Sequence, residues 1–312
     1  MKAIALPRYG GADDLELTEQ PTPAVAPGEF LVRVKAAGVN PADEKIAVGN
    51  LDGIMVTHFP LVPGFEMAGV IEARGFGATE FEIGDEVIGF ILKDWAQNGT
   101  YAELVSAPVR TLARKPESWD WLHAACLPLN GLTAYQAIRR IDIGEGDTVL
   151  MHGASGGVGS LAVQLAATRG AHVIGTAAER NHDYLRELGA TPVTYGEGLA
   201  DRVRELAPEG VDAALDFYGG DAVSVSRKVL KNPARVASVA DITAPEQGGQ
   251  LVWARANADE LAEVAALAES GKLSVSVHRS FPLEQAADAW RMLHADSRAR
   301  GRIVLDVEGR DA

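Results

Sequence analysis

Thr148-Val149-Leu150-Met151-His152-Gly153-Ala154-Ser155-Gly156-Gly157-Val158-Gly159 decides how the rest of this chain is read. The first five residues are largely apolar and partly β-branched, the composition of a strand buried on both faces of a parallel sheet. After the glycine-rich turn, Leu161, Val163, Leu165 and Ala166 among small residues predict a helix packed closely on that sheet. Arg169-Gly170 ends it with a cation and a glycine past the last turn. Ala171-His172-Val173-Ile174-Gly175-Thr176 reads as a second strand, which completes one βαβ unit.

The turn, Ala154-x-Gly156-Gly157-Val158-Gly159, is a variant of the dinucleotide fingerprint with alanine at its first glycine. Small residues are needed there because backbone must approach a diphosphate whose charge is held by free N–H groups at a helix N-terminus. An ordinary tight turn is the alternative, but strand, turn, helix and strand all have the lengths that nucleotide binding requires. Ser155, Gly156, Gly157, Val158 and Gly159 are therefore candidate cofactor contacts, with Thr176 at the end of the second strand.

That second strand runs out in Thr176-Ala177-Ala178, without the Asp or Glu that NAD-specific sites place on the ribose 2′-hydroxyl. A 2′-phosphate within 4 Å of a carboxylate near a surface is repelled by about 4 kcal/mol per unit charge, so loss of the acid admits NADP. Arg180 is a candidate for gripping the phosphate, or else a solvated loop arginine partnered by Glu179.

Around this unit lie 312 residues, enough for two domains, and 47% of them are apolar, enough for a substantial core. A formal charge of −14 argues against a nucleic-acid partner or an anionic membrane surface. Cys126 is the only cysteine, so no disulfide forms within the chain, which suits a reducing compartment. Met1 to Arg8 is broken too early for a signal peptide, and no apolar run has the length of a membrane span. The chain reads as a cytoplasmic protein.

Residues 2–115 predict an all-β, barrel-like domain. Ile4–Leu6, Leu15–Glu19, Glu29–Ala36, Met67–Ala73 and Glu86–Phe90 are strand candidates separated by glycine and proline turns. Within it, Asn40 as N-cap, Pro41 at the first position, Asp43 and Glu44 on the dipole and Gly49 as terminator predict a short helix. Residues 123–138 read as two helical pieces broken at Pro128, Asn130 and Gly131. Beyond the βαβ unit, strands and helices alternate to about residue 240, which predicts a doubly wound parallel sheet. Asp259 is the expected cap of a helix over 260–270, followed by a strand over 273–278, a helix over 283–293 and a last strand over 301–307.

Several stretches in order resemble the medium-chain dehydrogenase/reductase superfamily. They are Gly38-Val39-Asn40-Pro41-x-Asp43-x-Lys45, Pro63-Gly64-Phe65-Glu66-Met67-Ala68-Gly69-Val70, Gly84-Asp85-Glu86-Val87, Gly99-Thr100-Tyr101-Ala102-Glu103, Leu132-Thr133-Ala134, the glycine turn, and Gly301-Arg302-Ile303-Val304-Leu305. The match is to its zinc-free quinone oxidoreductase (zeta-crystallin-like) branch. The resemblance implies an α/β chain with a split GroES-like β-barrel catalytic domain, residues 1–120 and 258–312, around an inserted Rossmann domain, residues 121–257. It also implies substrate and nicotinamide in the cleft between the two, and a homodimer or homotetramer. By the same resemblance Asn40 lies near the nicotinamide ribose and the reacting carbonyl, Thr133 touches the nicotinamide side and Tyr195 the adenosine end. Helix capping for Asn40 and an ordinary core-edge position for Tyr195 are the alternatives.

Zinc is expected to be absent. One cysteine excludes a four-cysteine structural site, and where the superfamily's zinc enzymes carry cysteine and Gly-His-Glu this chain has Val39-Asn40 and Gly64-Phe65-Glu66. Without a Lewis acid, hydride transfer to a simple ketone leaves charge on oxygen with only hydrogen-bond donors to stabilise it. An enone yields an enolate and a quinone a hydroquinone anion, so both ask less of the protein. Lys45 is a candidate donor to the developing oxyanion, or else a solvated surface lysine. His152 is expected to be structural. His58 is a candidate proton donor and Trp95 and Tyr218 candidate pocket walls, with loop and exposed-aromatic or core-edge roles as alternatives.

The expected function is NADPH-dependent reduction of a small-molecule quinone or α,β-unsaturated carbonyl. An enoyl-thioester reductase of a biosynthetic pathway and a non-catalytic NADPH-binding protein are the competing readings.

Overall fold

The computed structural model describes residues 1–295 and 300–309. By contacts the chain divides into two units, one of Met1–Leu129, Ala256–Glu269 and Val275–Ala312, the other of Asn130–Arg255 and Ser270–Ser274.

The first unit contains strands β1 (Lys2–Ala5), β2 (Glu16–Glu19), β3 (Glu29–Val39), β4 (Thr57–Val62), β5 (Glu66–Arg74), β6 (Glu86–Phe90), β7 (Ala96–Asn98), β8 (Leu104–Pro108) and β9 (Leu112–Arg114). Helices α1 (Pro41–Ala47) and α2 (Trp121–Ala124) belong to the same unit. In β3, alternation and β-branching produce an 11-residue strand buried along most of its length. One edge of β3 pairs with β5 throughout, while the other pairs with β8 over Glu29–Arg33. Two register shifts against β5, between Leu31 and Val32 and between Val34 and Ala36, bend the strand. Bulges of this kind curl a sheet into a barrel.

The second unit is a six-stranded, all-parallel sheet. Helix α3 (Pro128–Arg140) leads to β10 (Thr148–His152), α4 (Gly157–Thr168), β11 (His172–Ala177), α5 (His182–Glu187), β12 (Ala190–Thr194), α6 (Leu199–Leu206), β13 (Ala213–Asp216), α7 (Ala222–Arg227), β14 (Val236–Ser238) and β15 (Gln250–Leu251). The strand order is β12-β11-β10-β13-β14-β15, so the chain reverses direction across the sheet beside β10. This is the doubly wound order whose ligands lie outside the strand carboxyl ends at the reversal. Val149, Leu150 and Met151 are fully buried, as are nearly all residues of α4 from Gly159 to Ala166. At about 1.5–3 kcal/mol for each large apolar side chain, that burial is what fastens α4 to the sheet.

The chain then returns to the first unit through α8 (Ala258–Glu269), β16 (Val277–Pro282), α9 (Ala286–Ala295) and β17 (Arg302–Asp306). β17 pairs with Ala36–Val39, extending the edge of β3 that β8 begins, so both ends of the sequence build one sheet.

Three sequence expectations are corrected. Asn130 and Gly131 do not break α3, because the helix starts at Pro128 and its buried Leu132, Ala134, Ala137 and Ile138 outweigh the roughly 1 kcal/mol a helical glycine costs. The cap of α8 is Asn257 rather than Asp259, its Oδ1 accepting from the N–H groups of Asp259 and Glu260. The strand expected over 273–278 begins at Val277, because Ser274 is bonded through its N–H, hydroxyl and carbonyl to the Gln164 amide on α4.

Candidate functional site

The glycine turn is held from below and open above. Gly153 takes the left-handed conformation, φ +67°, and donates its N–H to Thr176 Oγ1 at 3.1 Å. Ala154 donates to the Thr176 carbonyl at 3.1 Å. The Thr176 hydroxyl, on a buried side chain, is thus a brace for the turn. Gly159 lets helix and strand close up, since a Cβ there would stand 2.2 Å from the Gly153 carbonyl oxygen. Gly156 differs, because its φ is an ordinary −77° and a Cβ on it would meet only that same oxygen, at 3.3 Å. Packing thus asks less of residue 156 than of residue 159, since a Cβ at 156 would be tight where one at 159 would clash. From Gly157 the helix runs for 12 residues with no acidic residue in its first turn. The N–H groups of Gly157, Val158 and Gly159 precede the first intrahelical donor, Ser160, and point with the positive end of the dipole toward the turn.

Neighbouring strand ends bring further side chains to the same edge. Asn181, in the turn after β11, donates to Ser155 Oγ at 3.4 Å, so Arg180 and Asn181 border the glycine turn. Arg180 is exposed. After β12, Tyr195 is 56% exposed, and His182 Nε2 lies 3.5 Å from Thr194 Oγ1. On the other side, Asp216 at the end of β13 accepts from the Tyr218 and Gly219 N–H groups and from the Ser238 hydroxyl at the end of β14. His152 is buried with Nε2 2.8 Å from Ser226 Oγ, and burial holds its pKa below the ordinary value against the pull of Asp216 and Asp221. Thr133 is buried in α3.

In the first unit Asn40 opens α1 but turns its side chain inward. Its Oδ1 accepts from Arg302 at 2.8 Å and its Nδ2 donates to Glu66 Oε1 at 2.8 Å. Arg302 donates to the same Glu66 oxygen at 2.5 Å, and Glu66 Oε2 accepts from the Leu129 N–H at 2.9 Å. Sheet register puts the three together, with Ile303 opposite Val39 and Gly38 opposite Glu66. Gly38 makes the space, since a Cβ there would stand 2.3 Å from Glu66 Oε1.

A second chain adjoins the first. Asp43 Oδ2 accepts from the Asn40 N–H at 2.9 Å and from the Tyr101 hydroxyl at 2.8 Å, and Trp290 Nε1 donates to that hydroxyl at 3.2 Å. Asp43 is fully buried and its Oδ1 has no hydrogen-bond partner. Burial pushes its carboxyl up to about 7, against the lowering effect of its two hydrogen bonds. Burial also pushes the Cys126 thiol up to about 12, which leaves it protonated and unreactive. Lys45 is exposed on α1. Trp95 is half-exposed, its ring edge-to-face with His58 at 5.9 Å.

The structure therefore gathers Ser155 to Gly159, Thr176, Arg180 and Tyr195 along one edge of the parallel sheet, and sets Asn40 in a buried ionic network. Sequence reasoning overlooked Asn181, Asp216 and Ser238, whose signal was a polar residue at or just past the carboxyl end of a strand. It also quoted Glu66 and Arg302 as landmarks without pairing them. Among the described residues, no group of three or more His, Cys, Asp or Glu side chains is placed to hold a metal ion, and no helix is long and apolar enough to cross a membrane.

Comparison with known proteins adds the family context. Residues 26–117 match the alcohol dehydrogenase GroES-like domain, and residues 188–305 match the model described as zinc-binding dehydrogenase. The quinone oxidoreductase structure from Coxiella burnetii is 33% identical with a TM-score of 0.86, over 98% of this chain and 99% of that one. The mouse synaptic vesicle membrane protein VAT-1 homolog-like is 35% identical over 74% of this chain and 54% of its own length, so the chain spans about half of that relative. A component of the pikromycin polyketide synthase of Streptomyces venezuelae is 33% identical over 91% of this chain, which corresponds to 8% of that protein.

Proposed function

This chain belongs to the medium-chain dehydrogenase/reductase superfamily, in its quinone oxidoreductase branch, and from that premise we propose that it is an NADPH-dependent, zinc-independent reductase of quinones or enones. The observation that carries the nucleotide reading is Gly156. It is an exposed glycine with ordinary φ, where a Cβ would make a single tight contact at 3.3 Å, set over helix N–H groups that precede the first intrahelical donor. The reduced nicotinamide, when bound, supplies the hydride. Backbone at Ser155 to Gly159 takes the diphosphate, Arg180 the 2′-phosphate, Tyr195 the adenine end and Thr133 the nicotinamide end. The strand end at Ala177-Ala178, without a carboxylate, supports NADP over NAD.

Zinc does not fit the residues present. The positions that would supply cysteine and histidine hold Val39-Asn40 and Phe65, the Asn40 amide is engaged, and Arg302 already balances the Glu66 charge. Activated double bonds are thus the suitable acceptors, since delocalisation in the enolate or hydroquinone replaces the Lewis acid. Of the two groups proposed for the acceptor oxygen, Asn40 is held by Glu66 and Arg302, so we assign the donor role to the exposed ammonium of Lys45.

The test pairs turnover with Gly156→Ala. The wild type should oxidise NADPH with a panel of quinones and enones. The variant should fold and melt cooperatively yet bind NADPH at least tenfold more weakly. Unchanged affinity in the variant, or no calorimetric binding by the wild type, would overturn the proposal. The polyketide synthase match favours a second reading, enoyl-thioester reduction. A crotonyl thioester turned over faster than every quinone would establish it.

A further inference from the structure

Arg202, near the start of α6, turns its guanidinium back onto the loop that follows β12. Nε and Nη2 donate to the Thr194 carbonyl at 3.1 and 2.8 Å, and Nη1 donates to the Glu197 carbonyl at 2.8 Å. Nη2 also reaches the Tyr195 and Gly196 carbonyls, each at 3.4 Å. The carbonyls of residues 194–197 thus all face one planar fork. Two glycines permit the curl, Gly196 and Gly198 being left-handed at φ +94° and +76°. A Cβ on Gly198 would also stand 3.0 Å from Arg202 Nη1.

The loop has little else to hold it. Thr194, Tyr195, Gly196, Glu197 and Gly198 are all exposed, whereas Val193 before them and Leu199 after them are buried. A run of exposed residues gains no apolar burial to offset the entropy of ordering it, so its conformation rests on polar contacts. Besides Arg202, the loop is tied by the Leu199 N–H to the Gly196 carbonyl at 3.1 Å, and loosely by His182 Nε2, 3.5 Å from Thr194 Oγ1. Arg202 is itself well placed to act as the clasp. Leu199 and Val203 anchor α6 in the core, and hydrogen bonds from a charged donor are stronger than neutral ones.

Sheet register decides what the loop presents. Thr194 lies opposite Ala177, so Tyr195 leaves β12 level with the segment Ala178 to Arg180. There Tyr195 is 56% exposed, a large ring kept out of the core.

We propose that Arg202 is a positioning residue for the adenosine end of the cofactor, its fork fixing residues 194–198 so that Tyr195 is in place before the nucleotide arrives. The assignment rests on the nucleotide reading above. Ordering a loop in advance removes that cost from binding. Lysine keeps the charge but not the fork, so it does not substitute.

The test is calorimetry with NADPH and with adenosine 2′,5′-bisphosphate, which carries the adenosine end without the nicotinamide. The proteins are the wild type, Arg202→Met, Arg202→Lys, Tyr195→Ala and the double variant of Arg202→Met with Tyr195→Ala. Both single Arg202 variants should weaken both ligands by about tenfold. In the Tyr195→Ala background Arg202→Met should cost less than about twofold more, because the residue it acts through is gone. Without any ligand, chymotrypsin should cut after Tyr195 at least tenfold faster in Arg202→Met than in the wild type. Wild-type affinity in Arg202→Lys would overturn the role of the fork. Unchanged affinity in Arg202→Met, losses that multiply in the double variant, or equal cleavage rates would overturn the action through Tyr195. Each of these leaves the nucleotide reading standing. If the wild type binds neither ligand, that reading fails and the assignment of Arg202 falls with it.

Discussion

Replacing Asp43 by asparagine should remove a pH dependence from the stability of the first unit. In the folded chain burial raises this carboxyl from 3.8 to about 7, so between those values the native state holds a proton that the unfolded chain has lost. Stability from this group is therefore fully present below about pH 4 and declines as pH rises through 7. At 1.36 kcal/mol per unit, the shift corresponds to on the order of 4 kcal/mol, of which roughly 3 falls between about pH 5 and pH 8.5. Asparagine has the shape of the protonated acid. Its Oδ1 can take the place of Oδ2, accepting the Asn40 N–H and the Tyr101 hydroxyl, and its amide nitrogen replaces the oxygen that has no partner.

The measurement is urea unfolding of both proteins across that range. The free-energy difference, variant minus wild type, should grow by roughly 3 kcal/mol from acid to alkaline pH, whatever constant offset the substitution brings. Parallel profiles, with a difference constant to about 0.5 kcal/mol, would refute the argument that Asp43 is buried as a neutral acid.

Other consequences follow from the same geometry. Gly159→Ala forces a methyl against the Gly153 carbonyl, so it should cost about 1–3 kcal/mol in thermal unfolding, more than Gly156→Ala; equal melting temperatures for the two would contradict the packing described. Arg180→Ala should weaken NADPH by about 1.5–3 kcal/mol while leaving NADH nearly unchanged, measured by calorimetry, and equal losses would remove Arg180 from the phosphate. Lys45→Met should lower kcat for enones without altering NADPH affinity, which a full kinetic comparison checks. Elemental analysis should find no stoichiometric zinc, and activity should survive prolonged exposure to chelators.

The βαβ unit around Gly153–Gly159 was legible from residue order because everything that specifies it acts within a few residues. A β-branched apolar run, small residues where backbone must come close, and a cation with glycine at the helix end are local properties. The alternation of strands and helices beyond it carried the parallel sheet in the same way. Where reading failed, competition with tertiary contacts was the cause. Pro128 and the buried face of α3 overrode Asn130-Gly131, and Gln164 held Ser274 out of the strand expected there.

The buried network was beyond any local window. Asn40, Glu66 and Arg302 are separated by up to 262 residues, and only the antiparallel register of β17 on β3 and of β3 on β5 places their polar atoms within 3 Å. A charged side chain in sequence carries no mark of whether it will be hydrated or buried against a partner, because that depends on which strands pair and in what phase. Residue order thus determined the βαβ unit with its glycine turn, and that Val39-Asn40 and Gly64-Phe65-Glu66 offer neither cysteine nor histidine. The tertiary structure alone decided that Asp43 is sealed from water and that Asn40 is turned inward.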